Sequence, residues 1–118
     1  MPSAEALRHM RLLLLEEGHC FRDQALSFCN LRLQGPRAGL DGSSLSTLVQ
    51  MVGAGIGVTL IPEMAVTVET RSAAVSIAPL SDPQPVRTVG MIWRKSNPLA
   101  AQLLQVAEVV KAASLSKL

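Results

Sequence analysis

The order of helix-like and strand-like segments assigns the chain to the α/β class, with helices packed against a largely parallel sheet. Segments whose apolar residues recur at helical spacing alternate with short apolar runs. Two of these runs, residues 12–15 and 58–61, are continuous, which is typical of buried strands. A chain of 118 residues is at most one ordinary domain with a modest core.

The first elements follow from local signals. Ser3 is a plausible cap for a short helical turn within residues 1–11, and an apolar strand follows near 11–16. Residues 20–29 then carry apolar positions at helical spacing and form the next helix. Glycines and a proline punctuate residues 30–43, so we expect a loop there with a short strand near 37–40.

The second half repeats the alternation. Ser44 is a plausible cap for a helix whose apolar stripe ends at a group of glycines, and the strand 58–61 stops at Pro62. A short helix over 63–72, a strand over 75–78, a proline-containing linker and a strand over 87–94 follow. Asn97 and Pro98 then open the last helix, whose apolar residues repeat at spacings of four and three.

The chain has two cysteines, and the predicted helix places them near its opposite ends. Cys29 shares a face with Phe21, Ala25 and Phe28, so we expect it to be buried and Cys20 to be more exposed. Nine residues of helix carry the second thiol roughly half a turn around and on the order of 13 Å along the axis. A disulfide tolerates Cα atoms no more than about 7 Å apart. Either the thiols never bond, or bonding melts the helix.

The charges around Cys20 are mixed. A helix start favours a thiolate, and His19 and Arg22 act in the same direction. Asp23 opposes them together with the two glutamates at 16 and 17, so the sequence alone does not fix the ionisation of Cys20. From composition alone, inert cysteines are the more common outcome.

Composition limits the other function classes. The net charge is +2 and the basic residues are dispersed, which gives no surface typical of nucleic-acid binding. The apolar runs are too short to span a membrane, so we expect a cytoplasmic protein, where a disulfide would be transient. The histidines and cysteines lack the spacing of a metal site, and we predict neither a metal nor a cofactor.

The segment Gly-His-Cys-Phe-Arg-Asp-Gln-Ala-Leu-Ser-Phe-Cys, residues 18–29, closely resembles the redox segment of the hydrogen-peroxide sensors among LysR-type transcriptional regulators. Residues 44–62 are similar to the helix, glycine turn and strand of LysR effector domains in general. Residues 87–99, with the strand Val-Gly-Met-Ile-Trp-Arg, resemble the last strand and the start of the closing helix of such domains. The resemblance covers nearly the whole chain.

This resemblance implies a partial effector domain with a periplasmic-binding-protein-like fold. Residues 1–83 would form most of the second subdomain, and residues 84–118 the strand and helix that return to the first. The helix-turn-helix, the linker helix and most of the first subdomain would lie outside these residues. We therefore expect contact with DNA only through that absent helix-turn-helix domain.

The resemblance also implies a mechanism. Cys20 would react with hydrogen peroxide in an environment set by His19, Arg22 and Asp23, and a disulfide with Cys29 would remodel the domain. Regulators of this family self-associate as dimers or tetramers, and the helix that follows Ser44 contributes to their interface. Leu45, Gln50 and Met51 are therefore interface candidates, although the two apolar residues fit a core equally well.

Two alternatives share most of these features. An ordinary LysR effector module would bind a small metabolite in the cleft between subdomains, with incidental cysteines. A thiol peroxidase would turn over the same first oxidation step. We expect a regulatory domain rather than an enzyme.

Overall fold

A computed structural model describes residues 1–16, 18–30 and 41–115 of the chain. The elements of this part are α1 (Ala4–Arg8), β1 (Leu14–Leu15), α2 (Cys20–Phe28), β2 (Asp41–Gly42), α3 (Leu45–Gly53), α4 (Glu63–Glu69) and α5 (Ala100–Leu115). They belong to two compact units, Met1–Pro85 and Val86–Leu118. The assignment of residues 1–83 and 84–118 to two subdomains of an effector domain stays a prediction.

The sheet of the first unit is parallel, as the sequence predicts. β1 pairs with β2 through Leu14 opposite Asp41 and Leu15 opposite Gly42. On the other edge of this segment, Leu12 forms a parallel bridge with Val58. The leucine run therefore lies between two paired segments of the sheet, a position in which a strand is typically apolar throughout.

Successive leucines of this run point to opposite faces of the sheet, because side chains alternate along a strand. Leu12 and Leu14 pack into one buried cluster, which also contains residues of α1 and α2. Leu13 and Leu15 pack on the other side with Leu48 of α3. One short strand segment thus holds helices on both of its faces.

Local capping signals place the helix starts correctly. The Ser3 side chain accepts a hydrogen bond from the Ala6 N–H, and the Ser44 side chain accepts one from the Thr47 N–H. α3 ends at Gly53, the first glycine of the predicted turn. α4 is shorter than predicted, since it ends at Glu69 and not near residue 72.

Three strand predictions fail wholly or in part. Of residues 58–61 only Val58 pairs, and no strand forms at 75–78 or 87–94. A strand needs a neighbour for its backbone hydrogen bonds, and an apolar run cannot supply one. Val89 and Ile92, in the last of these segments, are 69% and 97% exposed. The strand predicted at 37–40 lies outside the described residues.

The second unit contains the predicted last helix. Asn97 Oδ1 accepts a hydrogen bond from the Leu99 N–H at 2.8 Å, one turn before the body of α5. The apolar stripe of α5 is mostly exposed, with Leu103 half-buried and Val106 and Val110 near half exposure. None of the helices in the described ranges is both long enough and apolar enough to cross a membrane.

Candidate functional site

The two cysteines lie at the two ends of α2. Gly18, with φ +94°, turns the chain into the helix, and His19 occupies the N-cap position without a side-chain capping bond. The helix begins at Cys20, and Cys29 is its C-cap. Asn30, with φ 51°, is in the left-handed conformation that commonly ends a helix. The predicted helix over 20–29 is confirmed.

The environments of the two thiols differ as the helical spacing predicts. Both are free, and Cys20 is exposed whereas Cys29 is 0% exposed. Cys29 packs in the cluster that contains Leu7, Leu12 and Leu14. The redox role of the two thiols stays a prediction.

Burial raises the pKa of the Cys29 thiol, because a thiolate is poorly solvated in this cluster, and the positive charge of Arg8 opposes that rise. The Arg8 guanidinium also donates a hydrogen bond from Nε to the Cys29 carbonyl oxygen at 2.7 Å. α1 therefore holds the C-terminal end of α2 through this side chain.

Arg22 is buried, at 8% exposure. Its Nη1 donates to the Leu15 carbonyl oxygen at 2.7 Å and lies 3.1 Å from Asp41 Oδ2. Side chains two residues apart on a helix do not face each other, so Arg22 and Cys20 leave the helix in different directions. The guanidinium is committed to the sheet, and its predicted influence on the Cys20 thiolate stays a prediction.

His19 and Asp23, the other predicted neighbours of the reactive thiol, are both exposed. His19 contributes through its backbone, since its carbonyl oxygen accepts the Arg22 N–H at 3.0 Å. Among the described residues, no group of three histidine, cysteine or acidic side chains is arranged to hold a metal ion. Glu17, predicted to affect Cys20, lies outside the described residues.

Sequence reasoning missed Arg8 and Asp41. Arg22 follows the spacing of the buried face, three residues before Ala25 and seven before Cys29, and a buried guanidinium requires a partner. That signal predicts an acceptor for Arg22. It does not identify which of the nine acidic residues provides it.

The interface candidates of α3 divide between surface and core. Leu45 and Met51 are half-buried and pack against the cluster that contains Leu48. Gln50 is exposed. Their role in self-association stays a prediction.

The first unit also contains an apolar hollow of about 100 Å³, lined by residues that include Val49, Val58 and Val75. The hydroxyl groups of Thr59 and Thr70 in its wall already donate to backbone carbonyl oxygens. Ligand pockets usually measure about 300–1,000 Å³. The hollow is therefore smaller than an ordinary ligand pocket, and the metabolite-binding alternative, which concerns the cleft between subdomains, stays a prediction.

Residues 2–114 match the family described as the LysR substrate binding domain. The chain is 41% identical over 102 residues to the DNA-binding transcriptional dual regulator OxyR of Escherichia coli strain K12, covering 86% of the chain and 33% of that protein. It is 43% identical over 111 residues to a probable hydrogen peroxide-inducible genes activator of Streptomyces viridosporus, covering 92% of the chain and 36% of that relative.

Solved structures agree with this match. A cysteine mutant of Corynebacterium glutamicum OxyR superposes with a TM-score of 0.81 at 29% identity, over 98% of this chain and 36% of that one. A hydrogen-peroxide-bound cysteine-to-serine mutant of the same protein gives a TM-score of 0.78 at 33% identity, over 98% and 37%. The chain thus spans about a third of the length of the relatives it matches, and the predicted α/β effector-domain fold, in part, is confirmed.

Proposed function

The chain belongs to the LysR substrate-binding domain family of transcriptional regulators, and from this we propose that it is the redox-sensing part of a hydrogen-peroxide-responsive regulator. The observation that carries the proposal is the pair of free thiols at the two ends of α2, one exposed and one buried. Relatives at about 40% identity named for OxyR or for hydrogen-peroxide-inducible activation support it.

The proposed chemistry needs peroxide and the two cysteines. The Cys20 thiolate attacks one peroxide oxygen and breaks the O–O bond, so that the sulfur becomes a sulfenic acid and hydroxide leaves as water after protonation. The Cys29 sulfur then attacks the sulfenic sulfur, an S–S bond forms, and a second water leaves. Two thiols have lost two electrons, and peroxide has gained them.

The difference in exposure between the two thiols supports this order of the two steps. Cys20 is open to a small oxidant, whereas Cys29 is fully buried and its pKa is raised by burial. A protonated, buried thiol reacts slowly with peroxide in solution. Cys20 is therefore the peroxidatic thiol, and Cys29 resolves the sulfenic acid once the helix opens.

The second step requires a change of shape. In the helical form the thiols are on the order of 13 Å apart along the axis, beyond the reach of a disulfide. We infer that the closed disulfide unwinds α2 and changes how copies of the full regulator associate on DNA, which it contacts through a helix-turn-helix domain. We place this switch in the cytoplasm, where thiols are normally held reduced.

The test is to treat the protein with a stoichiometric amount of peroxide and to identify the oxidation product by non-reducing peptide mass spectrometry. The proposal expects an intramolecular Cys20–Cys29 disulfide that dithiothreitol reverses, and its absence in both Cys20→Ser and Cys29→Ser. Oxidation that leaves both thiols unpaired would contradict it and favour a metabolite-binding effector. Sustained peroxide consumption with an added reductant would instead indicate a thiol peroxidase.

A further inference from the structure

One buried side chain of α2, Arg22, contacts both strands of the sheet. Arg22 Nη1 contacts the carbonyl oxygen of Leu15, the last residue of β1, and the carboxylate of Asp41, the first residue of β2. β1 and β2 are neighbours in the parallel sheet. A single nitrogen of α2 therefore joins the helix to both strands at once.

We propose that the Arg22–Asp41 ion pair is a redox restraint, which holds α2 in its helical form and so sets how readily the Cys20–Cys29 disulfide closes. This inference rests on the proposed function, because it concerns the ease of that same reaction. Arg22 and Asp41 are positioning residues here, since neither side chain is a reactant.

The position of Arg22 in the helix supports the proposal. It lies two residues after Cys20 and seven before Cys29, within the segment that must unwind before the sulfur atoms can meet. Unwinding moves the Arg22 backbone while Asp41 stays paired to Leu14 in the sheet. The hydrogen bond and the ion pair must then stretch or break, so each favours the helical, reduced form.

The ion pair is also incompletely satisfied. Within the described residues, Asp41 Oδ1 is buried without a hydrogen-bond partner. The Asp41 side chain as a whole is 25% exposed, so water also screens part of its attraction to Arg22. Such a contact is weaker than a fully satisfied buried pair, which suits a restraint that has to release during the redox cycle.

Asp41 is well placed to pass this release to α3. Gly42, the next residue, lies so close to Leu48 that a Cβ atom there would come within 2.7 Å of the Leu48 side chain. Two residues further, Ser44 caps α3. Loss of the Arg22 contact thus removes one restraint from a strand end that packs directly against α3, the helix that holds the interface candidates.

The test compares disulfide closure in the full chain carrying Asp41→Asn with closure in the wild type. For the rate, a peroxide pulse generates the sulfenic acid, and disulfide closure is followed by quenching samples with an alkylating reagent. For the equilibrium constant, the disulfide is equilibrated with a glutathione buffer. We expect Asp41→Asn to raise both the closure rate and the equilibrium constant for the disulfide by about tenfold, equal to about 1.4 kcal/mol. Formation of the sulfenic acid itself, measured in a Cys29→Ser background, should keep its rate.

Two further variants separate this role from a general loss of charge or stability. Glu108→Gln removes an acidic charge from an exposed position of α5 and should behave as the wild type. Asp41→Glu keeps the carboxylate and should restore most of the slow closure. If Asp41→Asn does not fold, Arg22→Lys takes its place, because lysine keeps the charge but not the planar fork of donors, and it should also close faster.

The outcomes distinguish this inference from the proposed function. Suppose that the wild type forms the disulfide, but that Asp41→Asn, or its substitute Arg22→Lys, forms it no faster than Glu108→Gln. This result would overturn the proposed restraint and leave the proposed redox function unaffected. A wild type that forms no Cys20–Cys29 disulfide would overturn both.

Discussion

Oxidation of the reduced chain to the Cys20–Cys29 disulfide should unwind α2. The helix rises about 1.5 Å per residue, so nine residues separate the Cα atoms by on the order of 13 Å along the axis, about twice what a disulfide allows. α2 contributes 9 helical residues beside 5, 9, 7 and 16 in α1, α3, α4 and α5, so oxidation should remove roughly a fifth of the far-ultraviolet helical signal.

The assay pairs circular dichroism with hydrogen exchange of the reduced and the oxidised protein. The Cys29 N–H now donates to the Ala25 carbonyl oxygen at 3.1 Å, and the Arg22 N–H donates to that of His19 at 3.0 Å. Both bonds belong to the helix that must open, so the amides of residues 22–30 should exchange faster after oxidation. Cys20→Ser treated in the same way should keep its helical signal and its protection.

One result would refute the geometrical reasoning. An intramolecular disulfide formed with unchanged protection over residues 22–30 would mean that the thiols can meet without loss of the helix. A helical signal that falls equally in Cys20→Ser would assign the change to oxidation elsewhere in the chain.

Three other outcomes are expected. In the reduced protein Cys20 should be alkylated about tenfold or more faster than Cys29, as read by peptide mass spectrometry after brief labelling, and equal rates would contradict the exposure difference. Burial raises the pKa of Cys29 in the folded protein, so burying the neutral thiol stabilises the fold. This stabilisation is fully present at pH values below the pKa of an unfolded cysteine, and it is lost as the pH rises through the raised pKa of the folded state. The free energy of unfolding should therefore fall above about pH 8.5 in the wild type and in Cys20→Ser, but less in Cys29→Ala; identical slopes would be inconsistent with this. Gly57→Ala would place a methyl group against the Arg11 carbonyl oxygen and should lower the free energy of unfolding, measured by urea denaturation, by about 1–3 kcal/mol. In the control Gly53→Ala, the added Cβ has no neighbour closer than 3.7 Å, so this variant should be neutral or slightly stabilised. Equal stabilities of the two variants would show that the backbone yields at residue 57.

Features that depend on near neighbours in the chain could be predicted from the sequence. The caps at Ser3 and Ser44, the start of α2 at Cys20 and the end of α3 at Gly53 all follow from signals within a few residues. The parallel α/β class followed from the alternation of segments. The strand predictions at 75–78 and 87–94 failed because pairing depends on a distant partner, which an apolar run does not identify.

The sequence by itself determined which thiol is exposed and how far apart the two must be, because helical periodicity fixes both the face and the rise of each residue. Only the tertiary structure decided what restrains the helix between them. The contact between Arg22 and Asp41 joins residues 19 positions apart, and the contact between Arg8 and the Cys29 carbonyl joins residues 21 positions apart. No local sequence pattern identifies either contact. A buried guanidinium indicates that an acceptor is needed, but not where along the chain that acceptor lies.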